Sequence, residues 1–385
     1  MIDTPQVKQY LHFEEKGRLK ILYVERSCLK ALRTLDWTTD RRLRGLAVRE
    51  GRTTASGRAR PRFLITIDTE RDDAWSTAKA ATTRNARFLP RFQALCERHG
   101  LRPTYLTNFQ MAKSEPFIEF ARDALRRGTA EIGMHLHAWD SPPIVPLTAH
   151  DHRFHPYLVE FPEPIMREKV RVMTELLENT FAVKMKSHRA GRWYMNELYA
   201  KLLIELGYQI DCSVTPHVSW KSTLGDPARG GGADYSRYPE APYFVSVQNL
   251  ATPGDSPLLE LPMTIMRNEY AWIEHVQALF EERSLSRRAL NRAFPSTWLR
   301  PNGRNLARML RVLDRALADG RSYVEFMLHS SELMPAGSPY FRDGDSIERL
   351  YADLEQLFER ARQGFEGATL VEFRASYLAS KGRAA

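Results

Sequence analysis

Short apolar runs alternate with longer amphipathic segments along most of the chain, from residue 61 onward. The run "RFLITIDTE" is typical of a buried strand, and "NARFLPRFQALCERHG", with apolar residues at helical spacing before a glycine, is typical of a helix. Further strands are predicted at "RPTYLTN", "AEIGMHLH", "KMKSHRAG", "YQIDCSV", "LLELPM", "YVEFMLH" and "ATLVEF". Further helices are predicted at "EPFIEFARDALRRG", "EPIMREKVRVMTELLENTF", "MNELYAKLLIELG", "NLARMLRVLDRALADG" and "SIERLYADLEQLFERARQG". This alternation predicts an α/β fold.

Two architectures fit about seven or eight strand–helix units: a β/α barrel and a doubly wound open sheet. The placement of polar side chains favours the barrel, because they recur where predicted strands end. These residues are Asp68 and Glu70, His135 and His137, His188 and Arg189, Asp211 and Ser213, and His329. In a β/α barrel the catalytic side chains gather at the carboxyl ends of several strands.

Basic residues are unevenly distributed along the chain. The 385 residues carry a formal net charge of +9 at pH 7, and much of the arginine lies in residues 41–62 and 283–311. A solvated surface and an attraction to phosphate both account for such stretches. No nucleic-acid-binding motif occurs, so no nucleic acid partner is expected. We expect an N-terminal extension with a basic linker at 1–60, the barrel at 61–380, and a basic helical insertion in the barrel at about 268–305.

Cysteine spacing and the length of apolar runs bear on location. Cys28, Cys96 and Cys212 show no CxxC spacing, so neither a disulfide framework nor a thiolate metal site is expected. The apolar runs fall short of the ~18 residues that a membrane span needs. Residues 1–20 contain no apolar core of a signal peptide. The sequence therefore predicts a cytoplasmic protein with at most peripheral membrane contact.

Two histidines and two carboxylates occupy alternate positions at predicted strand ends. Because alternate side chains of a strand share a face, His135 and His137 point the same way, and so do Asp68 and Glu70. Capping or surface acids and a histidine packed in the core are the alternative interpretations. One carboxylate with two imidazoles is a sound ligand set for a divalent metal ion such as zinc.

Five segments carry a family resemblance. In order, "TIDTE", "EIGMHLHAW", "SHRAGRW", "IDCSVTP" and "FMLHSSE" resemble the motifs of NodB-type polysaccharide deacetylases, which are carbohydrate esterase family four. More narrowly, they are similar to the branch associated with surface-polysaccharide gene clusters. The resemblance covers about residues 61–375 and implies a distorted, incomplete β/α barrel. It also implies one divalent metal ion, usually zinc, and the removal of N-acetyl groups from amino sugars.

The resemblance assigns a catalytic base and its partner. Asp68 matches the base, and Glu70 supplies the metal-binding carboxylate, with Thr69 between two acids that are adjacent in the common pattern. Arg189 takes the position of the arginine that pairs with the base, which would favour the charged form of Asp68. Trp193 is expected to form the floor of a sugar site.

The resemblance also assigns ligands and an acid. His135 and His137 are the expected metal-binding histidines, although the family has its pair four positions apart and this chain has Trp139 at that place. Trp139 is expected to contact the sugar instead. His329 matches the catalytic acid, and Asp211 matches the aspartate that orients it.

The expected substrate is an N-acetylated sugar or glycan, phosphate-bearing or lipid-linked, met at the cytoplasmic face of the membrane. Three other functions stay open. One is a catalytically inactive carbohydrate-binding relative, and another is an amidohydrolase-type barrel hydrolase acting on a different C–N bond. The third is a glycoside hydrolase using Asp68 and Glu70, whose carboxyls on one strand would lie closer than the ~5 Å that a sugar bond requires.

Overall fold

The computed structural model divides into two units, one of residues 1–56 and 270–296 and the other of residues 57–269 and 297–385. The residues that it describes are 9–15, 18–24, 60–72, 82–226, 230–267 and 296–382, with the single positions 273, 276, 280, 284 and 293. In the first unit, strands β1 (Gln9–Glu15) and β2 (Arg18–Val24) form an antiparallel hairpin. Most of the expected basic linker and most of the expected helical insertion lie outside the described residues.

A sheet of mainly parallel strands forms the core of the second unit. In spatial order its parallel strands are β13 (Tyr323–His329), β3 (Arg62–Thr69), β4 (Pro103–Thr107), β5 (Glu131–Leu136), β6 (Ser187–Ala190), β7 (Ile210–Asp211) and β10 (Leu259–Glu260). The short β14 (Glu366–Ala368) also pairs with β3, while β8 (Tyr243–Ser246) and β9 (Asn249–Pro253) extend the sheet beyond β10 with antiparallel pairing. Strand β3 is buried along almost its whole length, as expected where helices cover a parallel sheet.

A short antiparallel pair of strands lies between β10 and β13, the two ends of the parallel part of the sheet. Its strands are β11 (Ile265–Met266) and β12 (Thr297–Trp298). The Leu299 amide donates to the Thr264 carbonyl at 3.1 Å, and the Met327 amide of β13 donates to the Leu299 carbonyl at 3.2 Å. The sheet is thereby curled into a distorted β/α barrel, and the fold predicted from the sequence is confirmed.

Amphipathic helices pack around the sheet. They are α1 (Leu89–Arg98), α2 (Phe109–Ala112), α3 (Glu115–Arg126), α4 (Asp151–Phe154), α5 (Glu163–Phe181), α6 (Glu197–Glu205), α7 (Leu306–Ala318), α8 (Gly344–Gly364) and α9 (Leu370–Ser380). Helix α5 buries Met166, Val170, Met173, Leu177 and Phe181, whose spacing of three or four residues makes one apolar stripe. Within the described ranges, no helix has the length and apolar character needed to cross a membrane.

The strand predicted at "ATLVEF" is wrong for most of its length. Strand β14 ends at Ala368, and helix α9 begins at Leu370. Thr369 caps this helix, because its hydroxyl accepts from the Glu372 amide at 3.3 Å and the Glu372 carboxylate accepts from the Thr369 amide at 2.9 Å. This reciprocal capping box outweighs the β-strand preference of the short apolar run.

Candidate active site

Strand pairing brings the polar strand ends together. In the register of β13 and β3, His329 lies beside Asp68, and in the register of β5 and β6, His135 lies beside Arg189. The Glu70 amide donates to the Ser330 hydroxyl at 3.1 Å, and this hydroxyl donates to the Glu70 carbonyl at 3.2 Å. Residue Glu70, just beyond β3, is therefore held against the end of β13.

The three residues proposed as metal ligands form one buried group. Ligand atoms of Glu70, His135 and His137 all lie within 4.8 Å of one another. The Glu70 Oε2 atom lies 2.8 Å from His137 Nε2 and 4.0 Å from His135 Nε2. On the far side of its ring, His135 Nδ1 lies 2.9 Å from the Arg189 carbonyl, which fixes the Nδ1–H tautomer and directs the lone pair of Nε2 toward Glu70. This donor set fits a divalent metal ion such as zinc.

The protonation states of this group also suit a cation. Burial favours the neutral imidazole and lowers the pKa of His135 to about 4. Burial raises the pKa of Glu70, but the hydrogen bond from His137 and the nearby imidazoles outweigh it and hold that pKa below its ordinary value. Lone pairs of both side chains are therefore available at neutral pH.

A buried arginine holds the candidate base. Arg189 Nη1 donates to Asp68 Oδ1 at 2.5 Å, and its Nε donates to the Cys212 carbonyl at 3.1 Å. Burial raises the pKa of Asp68, yet the charge of Arg189, with contributions from His135 and His329, brings it well below its ordinary value. Asp68 is therefore an ionised carboxylate held in one orientation.

The same arginine contacts a second carboxylate that the sequence reasoning missed. Arg189 Nη2 donates to Glu325 Oε1 at 2.5 Å and to the Thr66 hydroxyl at 2.8 Å. Burial raises the pKa of Glu325 to about 7, since the attraction to Arg189 only partly offsets it. The signal in the sequence was a single acid inside the apolar run "YVEFML". Arg189 thus links Asp68 to the interior of the sheet.

The candidate acid, His329, faces both carboxylates of the first barrel strand. Its Nε2 atom lies 3.5 Å from Glu70 Oε1 and 3.8 Å from Asp68 Oδ2. Glu332 Oε2 accepts from the His329 amide at 2.7 Å and lies 3.4 Å from its Nδ1. Burial lowers the pKa of His329, as does Arg300, but the carboxylates of Glu332 and Glu70 outweigh them and raise it. His329 Nε2 therefore faces Asp68 and Glu70, with the Glu332 carboxylate near Nδ1.

The prediction that Asp211 orients His329 is wrong. Asp211 Oδ1 lies 2.6 Å from His188 Nδ1 and accepts from the Ser213 hydroxyl at 2.9 Å. The physical reason is strand order, because Asp211 lies on β7 beside β6, whereas His329 lies on β13 at the other end of the sheet. Glu332 is the carboxylate near His329 Nδ1, and its signal was a capping acid three residues after the histidine.

Both tryptophans proposed as sugar contacts lie next to site residues. The ring centre of Trp139 is 4.5 Å from that of His137, and the guanidinium carbon of Arg192 lies 5.2 Å from the Trp139 ring. The guanidinium carbon of Arg189 lies 4.8 Å from the Trp193 ring, and the Trp298 ring centre lies 6.0 Å from it. Trp298 is thus a third indole in this region, which the sequence reasoning did not single out.

The turn after β6 packs directly against a proposed ligand. A Cβ at Gly191 would lie 2.4 Å from the Leu136 carbonyl oxygen and 2.7 Å from His137 Nδ1, so only glycine fits here. The next two residues, Arg192 and Trp193, have φ values of 54° and 67°. Such left-handed conformations are costly for these residue types and are typical of functional sites.

We expect Gly191→Ala to weaken metal binding by roughly 10–100-fold, the range found when groups that orient ligands are disturbed. The added methyl group must displace either the backbone of β5 or the His137 ring. Zinc affinity is measured by competition with a chromophoric chelator, and thermal melting separates the loss from unfolding. Gly344→Ala is the matched control, because a Cβ there meets nothing within 4 Å. Equal zinc affinity in the two variants would show that Gly191 does not position His137.

Comparison with known proteins shows a shared fold at low sequence identity. No family model and no curated protein matches the chain. A candidate glycoside hydrolase/deacetylase from Parabacteroides distasonis is 12% identical, with a TM-score of 0.53 over 83% of this chain and 71% of that chain. A candidate polysaccharide deacetylase from Mycobacterium smegmatis is 17% identical, with a TM-score of 0.45 over 84% and 95% of the two chains. The likeness to the Parabacteroides protein shows that the two chains share a fold.

Proposed function

We propose that the protein is a metal-dependent hydrolase that removes N-acetyl groups from amino sugars of a surface polysaccharide or of its precursor. The observation that carries this proposal is the buried group of Glu70, His135 and His137, with Asp68 and His329 beside it. The motifs "TIDTE", "SHRAGRW" and "FMLHSSE" that resemble the NodB-type deacetylases contain the base, its arginine and the acid of this group.

Water must be activated for attack on an acetamide. Glu70, His135 and His137 would hold a divalent ion, which would supply Lewis acidity for this attack. Asp68 then accepts the proton of that water, as a carboxylate kept ionised by Arg189. Arg189 cannot transfer a proton itself, so its role is to orient Asp68 and to keep it charged.

The departing amine needs a proton, because an amide anion is a very poor leaving group. His329 donates this proton from Nε2, the ring nitrogen that faces Asp68 and Glu70. Glu332 and Arg300 both lie beside the other ring nitrogen, Nδ1, where the carboxylate favours the protonated ring and the guanidinium opposes it. The products are acetate and a free amino sugar.

The glycoside hydrolase alternative is disfavoured by the same geometry. A glycosidase places its two carboxyls on either side of the scissile bond, at least ~5 Å apart. Asp68 and Glu70 instead converge on one atom, His329 Nε2, at 3.8 Å and 3.5 Å. The His329 ring therefore lies in front of both carboxylates, where a glycosidase would place the scissile bond.

Cytoplasmic action is part of the proposal. Cys96 and Cys212 are buried free thiols, which is typical of proteins in a reducing compartment. The substrate would then be a sugar or lipid-linked precursor rather than a finished surface polymer.

We expect the purified protein to contain about one divalent ion per chain, since the described residues contain one such ligand group. We also expect it to release acetate from N-acetylated sugars, and a chelator to remove ion and activity together. Metal analysis and an enzymatic acetate assay on free sugars, nucleotide-sugars and lipid-linked glycans test this. A protein without bound metal that binds glycans and releases no acetate would be an inactive carbohydrate-binding relative. Cleavage of a different C–N bond without acetate would favour the amidohydrolase alternative.

A further inference from the structure

Among the described residues, Arg189, Arg192 and Arg300 each have a guanidinium group near side chains of the proposed site, and they differ in what they contact. Arg189 is fully buried and uses all three of its nitrogens in contacts with Asp68, Glu325, Thr66 and the Cys212 carbonyl. Because it is fully buried, it is not accessible to a substrate. Arg192 and Arg300 are the accessible ones, and Arg192 lies over the Trp139 ring.

The chain holds Arg300 firmly at its backbone. The preceding residue, Leu299, is fully buried and is hydrogen bonded to Thr264 on one side and to Met327 on the other. The Asn305 side chain donates to the Arg300 carbonyl at 2.8 Å. The backbone position of Arg300, directly after β12, is therefore fixed by these hydrogen bonds.

The guanidinium of Arg300 lies against the candidate acid with part of its surface open. Its Nη2 atom lies 2.9 Å from His329 Nδ1 and 3.2 Å from Glu332 Oε1. Its Nε and Nη1 atoms have no hydrogen-bond partner among the described residues, and 21% of the side chain is exposed. Glu332 reaches it through one oxygen only, because Oε2 accepts from the His329 amide. Donor hydrogens on Nε and Nη1 thus have no partner among the described residues and can serve a ligand.

We infer that Arg300 binds an anionic oxygen group of the substrate, a carboxylate or a phosphate, and so selects acidic N-acetylated sugars. Charge-assisted hydrogen bonds from the N–H groups of a guanidinium suit both groups. The contact with His329 places this anion next to the acid that serves the leaving amine. The anion therefore belongs to the sugar that carries the acetamide or to its immediate neighbour. This inference rests on the proposed function and names its substrate class.

Binding of small probes to the zinc-loaded protein tests the inference without turnover. The probes are N-acetylglucosamine, N-acetylglucosamine 1-phosphate and N-acetylglucosaminuronic acid, with affinity measured by calorimetry. We expect at least one acidic probe to bind about tenfold or more tightly than the neutral sugar, the lower range for hydrogen bonds to charged groups. Preference for the phosphate or for the uronate identifies which anion the site takes. Equal affinity for all three probes would overturn the inference.

Removing the charge of Arg300 and, separately, that of Arg304 distinguishes a specific contact of Arg300 with the anion from a general attraction to the basic surface. Arg300→Gln is expected to abolish the preference for acidic probes, and Arg300→Lys, which keeps the charge but not the fork, is expected to restore only part of it. Arg304→Gln is the matched control, because Arg304 belongs to the same basic stretch and is exposed. An equal loss in the Arg300→Gln and Arg304→Gln proteins would also overturn the inference.

The acetate assay on the same probes keeps the two proposals distinguishable. Acetate released at equal kcat/KM from neutral and acidic probes would refute the role of Arg300 and leave the deacetylase proposal standing. A clear preference in binding, lost in Arg300→Gln, without acetate from any probe would refute the proposed reaction and support Arg300 as an anion-binding residue.

Discussion

Replacing either His135 or His137 with alanine is expected to release the metal ion and to reduce acetate release to background. Each imidazole would supply one of the three proposed protein ligands, and two remaining ligands would hold a divalent ion poorly. Zinc per chain is measured after gel filtration by atomic emission, and acetate release is measured on the same sample. Circular dichroism and thermal melting show whether the barrel has folded.

His150→Ala is the matched control for both variants, because His150 is exposed and lies outside the ligand group. It is expected to retain the ion and full activity. Stoichiometric zinc in both the His135→Ala and the His137→Ala proteins would end this ligand assignment. Loss of zinc from one variant alone would leave the other histidine as a substrate or positioning residue.

Removing the side chain of the candidate acid is expected to slow turnover while the metal ion stays bound. His329→Ala is expected to slow amide cleavage by about 10²–10⁴-fold, the usual contribution of a positioned proton donor. Asp68→Asn is expected to lose a similar factor, with the ion retained in both proteins. An activated ester, whose leaving group needs no proton, should lose much less with His329→Ala than an amide does. Equal and small losses for amide and ester would show that His329 is structural.

The effect of Glu332 on the pKa of His329 predicts a change in the pH dependence of the rate. A histidine acid works in its protonated form, so the rate falls as the pH rises through its pKa. Glu332 raises the pKa of His329, and Glu332→Gln should therefore move this alkaline fall to lower pH, with the metal bound in both proteins. Asp211→Asn, which alters a contact with His188 instead, should leave the position of the fall unchanged. The opposite pattern would restore Asp211 as the orienting residue.

Sequence reasoning succeeded where the information was local. Helix α5 has the predicted bounds, because its apolar stripe and its proline at the start are strong short-range signals. Strands β3 and β13 were equally clear, as long apolar runs that end in polar residues. The two-residue strands β11 and β12 were missed, since nothing in so short a segment distinguishes it from a loop.

In the candidate site, too, the features that depend on local sequence were predictable and those that depend on strand order were not. The parity of strand positions predicts that His135 and His137 share a face, and they lie together beside Glu70. Which carboxylate contacts His329 depends on strand order, which is not encoded in any one segment. The resemblance supplied Asp211 for that role, and the neighbouring capping acid Glu332 has the contact instead. Glu325 was overlooked because it occupies an interior position of a strand that otherwise reads as core.

The pairing of β13 with β3 has a consequence for how the chain is made. These two strands lie at opposite ends of the barrel sequence yet side by side in the sheet. During translation, one edge of β3 has no partner strand until nearly the whole barrel has been synthesised. An unpaired apolar edge can associate with other chains. The strand that finally covers this edge also delivers His329. A nascent chain that stops before β13 is therefore prone to aggregate and also lacks His329. The candidate acid and the strand that covers the edge of β3 are made together.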